Sequence, residues 1–328
     1  MSVIIPEKIY RVYCLILFTE HILGEKNANC IFRKTKLSYE KKLQQINENN
    51  QSKIFDVDQG EINLTSFQDH YLNSNKPFLF KSVAESWPCC KNWTPEFFTE
   101  TYPNYNIKLY QARKGLARYN KPDETIKLSH FIKAIKAGDQ RYMNFSPLLT
   151  KYPELQRDLN HDWLHRMRSD NKIKAEYTLF IGGKGSMTPV HCEPTGNFFI
   201  QVYGRKKWTL YPADSWPILK PPASRKFYFY SGINPANIDL TKFPLGMKLD
   251  KFEFILEPGD ILWNPPFMWH QVENIGLSIG VSYKIDNFLR SIKASPFLMA
   301  LSLMATNPNV FTLYLKTLLK RDHVFFPD

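Results

Sequence analysis

Cysteine is scarce in this chain and follows no framework, with five in 328 residues. Cys14, Cys30, the adjacent pair Cys89 and Cys90, and Cys192 include no C-x-x-C spacing, which argues against a structural zinc module. An odd number without regular spacing reads as reduced thiols, and so as a cytoplasmic protein, or a nuclear one if the source is eukaryotic. Long apolar runs are also missing. The run from Val12 to Thr19 is too short to span a bilayer. Glu20-His-Ile-Leu-Gly-Glu-Lys26 after it offers no small-residue cleavage site, so neither a secretory leader nor a membrane partner is expected. Glycine is low, at 14, and Ile181-Gly-Gly-Lys-Gly185 lacks the G-x-x-x-x-G-K-[ST] spacing of a phosphate cradle. Proline, at 22, and an aromatic content of 15% are high, which favours a β-rich centre with irregular connections.

What the chain does have is Thr188-Pro-Val-His191-Cys-Glu193, and a second histidine, His270, 79 residues later at the end of Pro258-Gly-Asp-Ile-Leu-Trp-Asn-Pro-Pro-Phe-Met-Trp-His270. In an extended segment His191 and Glu193 point to the same side of a sheet. One further ligand from a distant strand then completes a two-histidine, one-carboxylate triad of the kind that holds Fe(II) on one face and leaves positions open for a cosubstrate and O2. A bare H-x-E is common, and its ordinary explanation is a solvated strand edge. After it, Asn197-Phe-Phe-Ile-Gln-Val-Tyr203 and Lys206-Lys-Trp-Thr-Leu-Tyr211 read as two aromatic and β-branched strands joined through Gly204. Alternation groups Asn197, Phe199 and Gln201 on one face, and Lys206, Trp208 and Leu210 on the inner face of the next strand. A lysine inside an aromatic barrel needs an anionic partner, which a metal-chelating dicarboxylate would supply. The competing reading makes Lys206 part of the solvated run Arg205-Lys206-Lys207.

The ordered motifs T-P-x-H-x-E, N-F-F, G-x-K and P-G-D-x-L-x-x-P-x-x-x-W-H resemble the Jumonji-C branch of the cupin superfamily, the Fe(II) and 2-oxoglutarate dependent oxygenases. Within it the chain is most similar to the asparaginyl hydroxylase that controls the hypoxia-inducible factor and to its bacterial cupin-like relatives. The resemblance runs from about residue 73 to 283 and includes Lys76-Pro-Phe-Leu-Phe80, Ser86-Trp-Pro88 and Asn92-Trp-Thr-Pro-Glu-Phe-Phe98. It implies a mainly β protein with helices: a double-stranded β-helix (jelly-roll) core with an N-terminal helical region and C-terminal helices. It also implies His191, Glu193 and His270 as metal ligands and catalytic centre, cosubstrate contacts from Lys206, Thr188, Asn197 and Tyr142, and Ser282 as a pocket-lining residue. The cofactors implied are Fe(II), 2-oxoglutarate as cosubstrate, and O2. The activity implied is that of a dioxygenase releasing succinate and CO2, with hydroxylation of a protein side chain as the reaction. Glu193 departs from the H-x-D more usual among the hydroxylases. The H-x-E form is commoner among methyl-lysine demethylases, so demethylation stands as an alternative, with hydroxylation of an RNA nucleoside, favoured by the basic middle third, beside it. A cupin that binds a metal without catalysis is another.

The chain divides into an N-terminal helix and polar linker (1–53), the oxygenase domain (54–284, its barrel from about 177) and a C-terminal helical extension (285–328). The apolar 12–19 segment is expected as a buried or amphipathic helix, and much of 94–170 as helices broken by prolines. The C-terminal helices, including Val310 to Lys320, carry apolar residues on more than one face, and either cover the barrel or make a homodimer. His161-Asp-Trp-Leu-His165 resembles a zinc-protease motif but has a short aspartate and no third ligand, so Trp163 is expected to serve packing. Charge is uneven: residues 101–226 hold 22 basic and 10 acidic side chains, and the flanking thirds balance at 12 and 12 and at 9 and 9. A basic rim containing Arg113, Lys114 and Arg118 would concentrate an anionic partner, whether an acidic protein segment or RNA; each such lysine or arginine taken singly is explained by solubility.

Overall fold

A computed structural model of the chain describes residues 5–45, 52–109, 124–168, 175–222 and 226–306. The expected basic residues Arg113, Lys114 and Arg118 and the helix expected over Val310 to Lys320 lie outside the described residues. The strands, in chain order, are β1 Ile54–Phe55, β2 Phe78–Phe80, β3 Asn106–Leu109, β4 Glu124–Lys127, β5 Tyr142–Ser146, β6 Ala175–Gly182, β7 Met187–Cys192, β8 Gly196–Tyr203, β9 Lys206–Tyr211, β10 Phe229–Tyr230, β11 Lys251–Leu256, β12 Ile261–Asn264, β13 Trp269–Asn274 and β14 Ser278–Ile285. Two six-stranded sheets form, in the orders β1-β11-β9-β13-β7-β10 and β2-β12-β8-β14-β6-β5. Except where β1 joins β11 in parallel, every pairing in them is antiparallel. Consecutive strands of the barrel repeatedly switch sheets, the jelly-roll arrangement expected from the resemblance.

Each sheet has an inner face and an outer face, and alternation assigns the side chains. Phe180, Phe199, Trp208, Leu210, Leu262 and Val272 meet between the sheets. Outside the second sheet, Phe198, Ile200, Trp263, Ile279, Val281 and Tyr283 are covered by residues of 64–109 and 124–167, among them Phe67, Phe98, Phe131 and Leu164. Trp163 packs edge-on against Phe80, Trp87 and Phe198, as its packing role required. His161 is half-buried and occupied at both ring nitrogens, by the Gln156 carbonyl and the Tyr177 hydroxyl, so neither nitrogen is left for a metal. The 94–170 region is less helical than its periodicity suggested. It contributes the β3–β4 hairpin, and β5 extends the second sheet beside β6.

Outside the first sheet, Val190, Cys192, Tyr211, Phe229 and Trp269 are covered by both ends of the described chain. The N-terminal helix Glu7–Leu23 sends in Tyr13 and Leu17, and the helix Pro296–Leu303 sends in Leu298, Met299 and Leu301. Tyr13 stacks between Tyr39 at 4.7 Å and Trp216 at 5.3 Å. The polar stretch after Gly24 is therefore a helix, Glu25–Gln45, whose Tyr39 is buried and whose Lys36 pairs with Glu20. Among the described residues no helix is long and apolar enough to cross a membrane.

The β8–β9 connection decides where Lys206 points, and it turns on Gly204 at φ +64°. A Cβ there would stand 2.1 Å from the Leu277 carbonyl oxygen. Gly204→Ala is expected to cost roughly 2 kcal/mol or more, from the left-handed backbone and the clash together. An unchanged denaturant midpoint would contradict this account of the turn.

Candidate metal centre and anion pocket

Strand β7 pairs with β13 in a way that regular alternation does not foresee. His270 lies opposite His191 and Val272 opposite Thr188, so two steps on β13 match three on β7. The extra residue is a β-bulge, which resets the alternation. Thr188 and His191 are three apart and would face opposite ways on a regular strand, yet both line one cavity, and Val190 and Cys192 turn to the outer core. Pro189 sits inside the irregular step, a place that suits a residue with no N–H to contribute to the ladder. The cavity, of about 360 Å³ including its mouth, is lined by residues from both sheets, among them Tyr142, Phe145, Phe180, Glu193, Asn197, Trp208 and Ser282.

The cross-strand register brings the two imidazoles together, their ring centroids 4.1 Å apart and their planes tilted by 54°. Each is oriented by its own backbone: His191 Nδ1 donates to the Pro189 carbonyl at 2.8 Å and His270 Nδ1 to the Met268 carbonyl at 2.9 Å. That leaves both Nε2 lone pairs for another partner, the arrangement by which metal-binding histidines are fixed in tautomer and direction. Trp208 stacks on His270 at 5.6 Å. Burial pushes both imidazoles below the ordinary histidine range, His270 well below it, so both are neutral and able to ligate.

Glu193 reaches the same cavity, and its backbone carbonyl is held by Phe267 N at 2.8 Å. Its carboxylate, however, is engaged: Lys284 Nζ donates to Oε2 at 2.7 Å, and both residues are buried. Among the described residues no three His, Cys, Asp or Glu side chains converge closely enough to hold a metal. His191 and His270 offer two neutral imidazoles to one cavity, and the carboxylate that would complete a triad with them is bound to an internal ammonium.

Lys206 is fully buried, which removes it from the solvated run; its neighbours Arg205 and Lys207 face outward to Glu257 and Glu253. Its Nζ donates to Asn274 Oδ1 at 2.5 Å and to the Tyr142 hydroxyl at 3.4 Å, between the rings of Tyr142 and Phe199. Ser186 fixes that amide's orientation by accepting from Asn274 Nδ2 at 2.8 Å. No carboxylate pairs with Lys206 among the described residues, and burial lowers its pKa to about 7. Ser282 donates to Asn197 Oδ1 at 2.7 Å. Gln201 leaves the group that alternation gave it. It is buried but donates to the Tyr203 and Gly204 carbonyls, bracing the β8–β9 turn.

The predicted residues His191, Glu193, His270, Thr188, Asn197, Tyr142 and Ser282 all line the cavity, and Lys206 abuts the Tyr142 and Phe199 walls. Two participants were missed. Asn274, which holds Lys206, carries no sequence signal. Lys284 does carry one, because it is two residues from Ser282 on the same strand face.

The cupin-like domain model matches residues 64–288. Lysine-specific demethylase 8 of Xenopus tropicalis is 27% identical over 226 residues, 67% of this chain and 50% of that protein. Lysine-specific demethylase JMJ30 of Arabidopsis thaliana is 26% identical over 231 residues, 67% of this chain and 52% of that protein. HSPB1-associated protein 1 of Bos taurus is 41% identical over 229 residues, 61% of this chain and 46% of that protein. The chain spans about half the length of these curated relatives. Their names are those of demethylases and an associated protein, and none is that of an asparaginyl hydroxylase.

Proton linkage offers a test of the buried bases. The unfolded chain binds protons at the two histidines below about pH 6.5 that the folded chain does not. The metal-free protein should therefore gain stability as pH rises from about 5.5 to about 7.5. Lys206 should extend the rise from about 7 toward the ordinary lysine value, since the unfolded lysine keeps its proton there. If His270→Asn followed the wild-type profile of denaturant midpoint against pH, the buried neutral imidazole would be excluded.

Proposed function

The chain belongs to the cupin-like domain family, and from that premise we propose that it is an Fe(II) and 2-oxoglutarate dependent oxygenase that hydroxylates a protein side chain. The observation that carries the reading is one cavity lined by two neutral, Nδ1-anchored histidines, with a buried lysine directly behind its Tyr142 and Phe199 walls that has no carboxylate partner among the described residues. His191 and His270 would hold the metal, with Glu193 as the third arm. Bound iron would supply the oxidising chemistry, using O2 and releasing succinate and CO2 from the cosubstrate.

The protein's own part is placement, proton handling and exclusion of water. Lys206 would receive the far carboxylate of 2-oxoglutarate, assisted by the Thr188 and Tyr142 hydroxyls. Because burial disfavours its charge, arrival of the dianion would return a proton to Nζ and create the charge-assisted hydrogen bond at that moment. Asn197, oriented by Ser282, lies on the same wall. Phe145, Phe180, Phe199 and Trp208 keep bulk water from the reacting end.

N-methyl-lysine demethylation is the second reading, favoured by the H-x-E form and by the printed names of two relatives. The basic middle third supports an anionic partner, an acidic protein segment first and RNA second. A homodimer through the C-terminal helices belongs to the same proposal. The Glu193–Lys284 ion pair favours the remaining alternative, a binding module without turnover.

Conversion of 2-oxoglutarate to succinate by the iron-loaded protein without added substrate separates the oxygenase readings from the binding module. It should occur with the wild type and be lost in His191→Ala and His270→Ala, while Glu193→Asp retains part of it. Lys206→Ala should leave metal binding intact and weaken 2-oxoglutarate about tenfold to a hundredfold, the equivalent of a lost charge-assisted hydrogen bond. Absence of succinate from wild type would leave the non-catalytic module. Unchanged 2-oxoglutarate affinity in Lys206→Ala would remove that lysine from the anion site.

A further inference from the structure

We propose that Lys284 is the resident counter-cation of this site: its ammonium holds Glu193 while the metal is absent, must release it for a metal to be ligated, and so sets the metal affinity. The inference rests on the metal-centre reading above and concerns a residue outside the ligand set.

Its basis is geometric. Lys284 follows Ser282 on the inner face of β14, opposite Asn197 on β8, so its side chain enters the cavity from the sheet facing the histidines. Nζ lies 2.7 Å from Glu193 Oε2 and 4.9 Å from the centre of the Phe145 ring. Lysine and glutamate are 5% and 8% exposed, so water contributes little to screening the pair. A carboxylate buried at this depth with no cation would be strongly disfavoured, and the ammonium satisfies it.

A metal arriving at His191 and His270 meets this pair as a competitor. To use Glu193 it must break a buried, charge-assisted hydrogen bond, and it then leaves the ammonium in the cavity beside a divalent ion of the same sign. Both effects weaken binding. Removing the lysine's charge removes both, and the stranded carboxylate turns to the metal as the remaining cation. The metal-free variant loses stability over the same step, so affinity for metal and stability without it move in opposite directions. A merely structural lysine would lower both.

Calorimetric titration with Mn(II), a redox-inert stand-in for Fe(II), tests this on the full chain without turnover. Lys284→Met should bind Mn(II) at least about tenfold more tightly than wild type, with a lower melting temperature before metal is added and a larger metal-induced rise. Lys284→Gln keeps a neutral donor to Glu193 and should also tighten binding, which covers the case in which the methionine variant fails to fold. Lys284→Arg keeps the charge and should not tighten it. Equal or weaker Mn(II) affinity in the folded Met or Gln variant would overturn the proposal. His191→Ala separates the two levels: if it binds Mn(II) as wild type does, the metal-centre reading itself fails.

Discussion

The site depends on the uneven pairing of β7 with β13. Three residues against two bring Thr188 and His191 onto one face and still leave Val190 and Cys192 in the outer core. Without that step, a strand carrying both a core-facing valine and a cavity-facing threonine would have to sacrifice one of them, since a one-residue slip exchanges every side chain between faces. The same register sets His270 across from His191. The two Nδ1 hydrogen bonds to backbone carbonyls then convert a strand pairing into a pair of aimed lone pairs.

Around that pair the described groups leave Lys206 as the lysine without an anion, its charge disfavoured by burial. The imidazoles are neutral, Glu193 is matched by Lys284, and Lys206 has no carboxylate among the described residues. An ammonium in such surroundings is costly unless something compensates it, and here the compensation is two polar neighbours and two aromatic rings. That arrangement tolerates the lysine without satisfying its charge, which suits a site that gains an anion only on binding. The outer layers make this tolerable for the fold. Both sheets are covered by aromatic-rich segments, and the inner space can be given to polar groups.

Much of this was legible in the sequence, for physical reasons. Strand alternation after Gly204 placed Lys206, Trp208 and Leu210 together, and the absence of a third ligand near His161 and His165 left Trp163 to packing. What was not legible came from irregularity and from pairing at long range. The bulge that admits Thr188 has Pro189 as its only local trace. Gln201 follows alternation on paper, but the irregular step between β8 and β14 at Ile279 and Gly280 diverts it to the turn carbonyls. The 94–170 region reads as helix between prolines, yet β5 finds a partner in β6 more than thirty positions on, a contact that no local period encodes. Lys284 was within reach of the alternation argument. Its partner Glu193 lies across the barrel, and that distance in sequence hid the ion pair.

The central claim is that His191 and His270 hold a metal in this cavity and that Glu193 turns to it. Anomalous diffraction from crystals equilibrated without oxygen in Mn(II) and 2-oxoglutarate tests it most directly. The account predicts a manganese peak bonded to both Nε2 atoms, with the Glu193 carboxylate moved from Lys284 onto the metal. An empty histidine pair with Glu193 still on Lys284, or manganese bound at some other place, would contradict it.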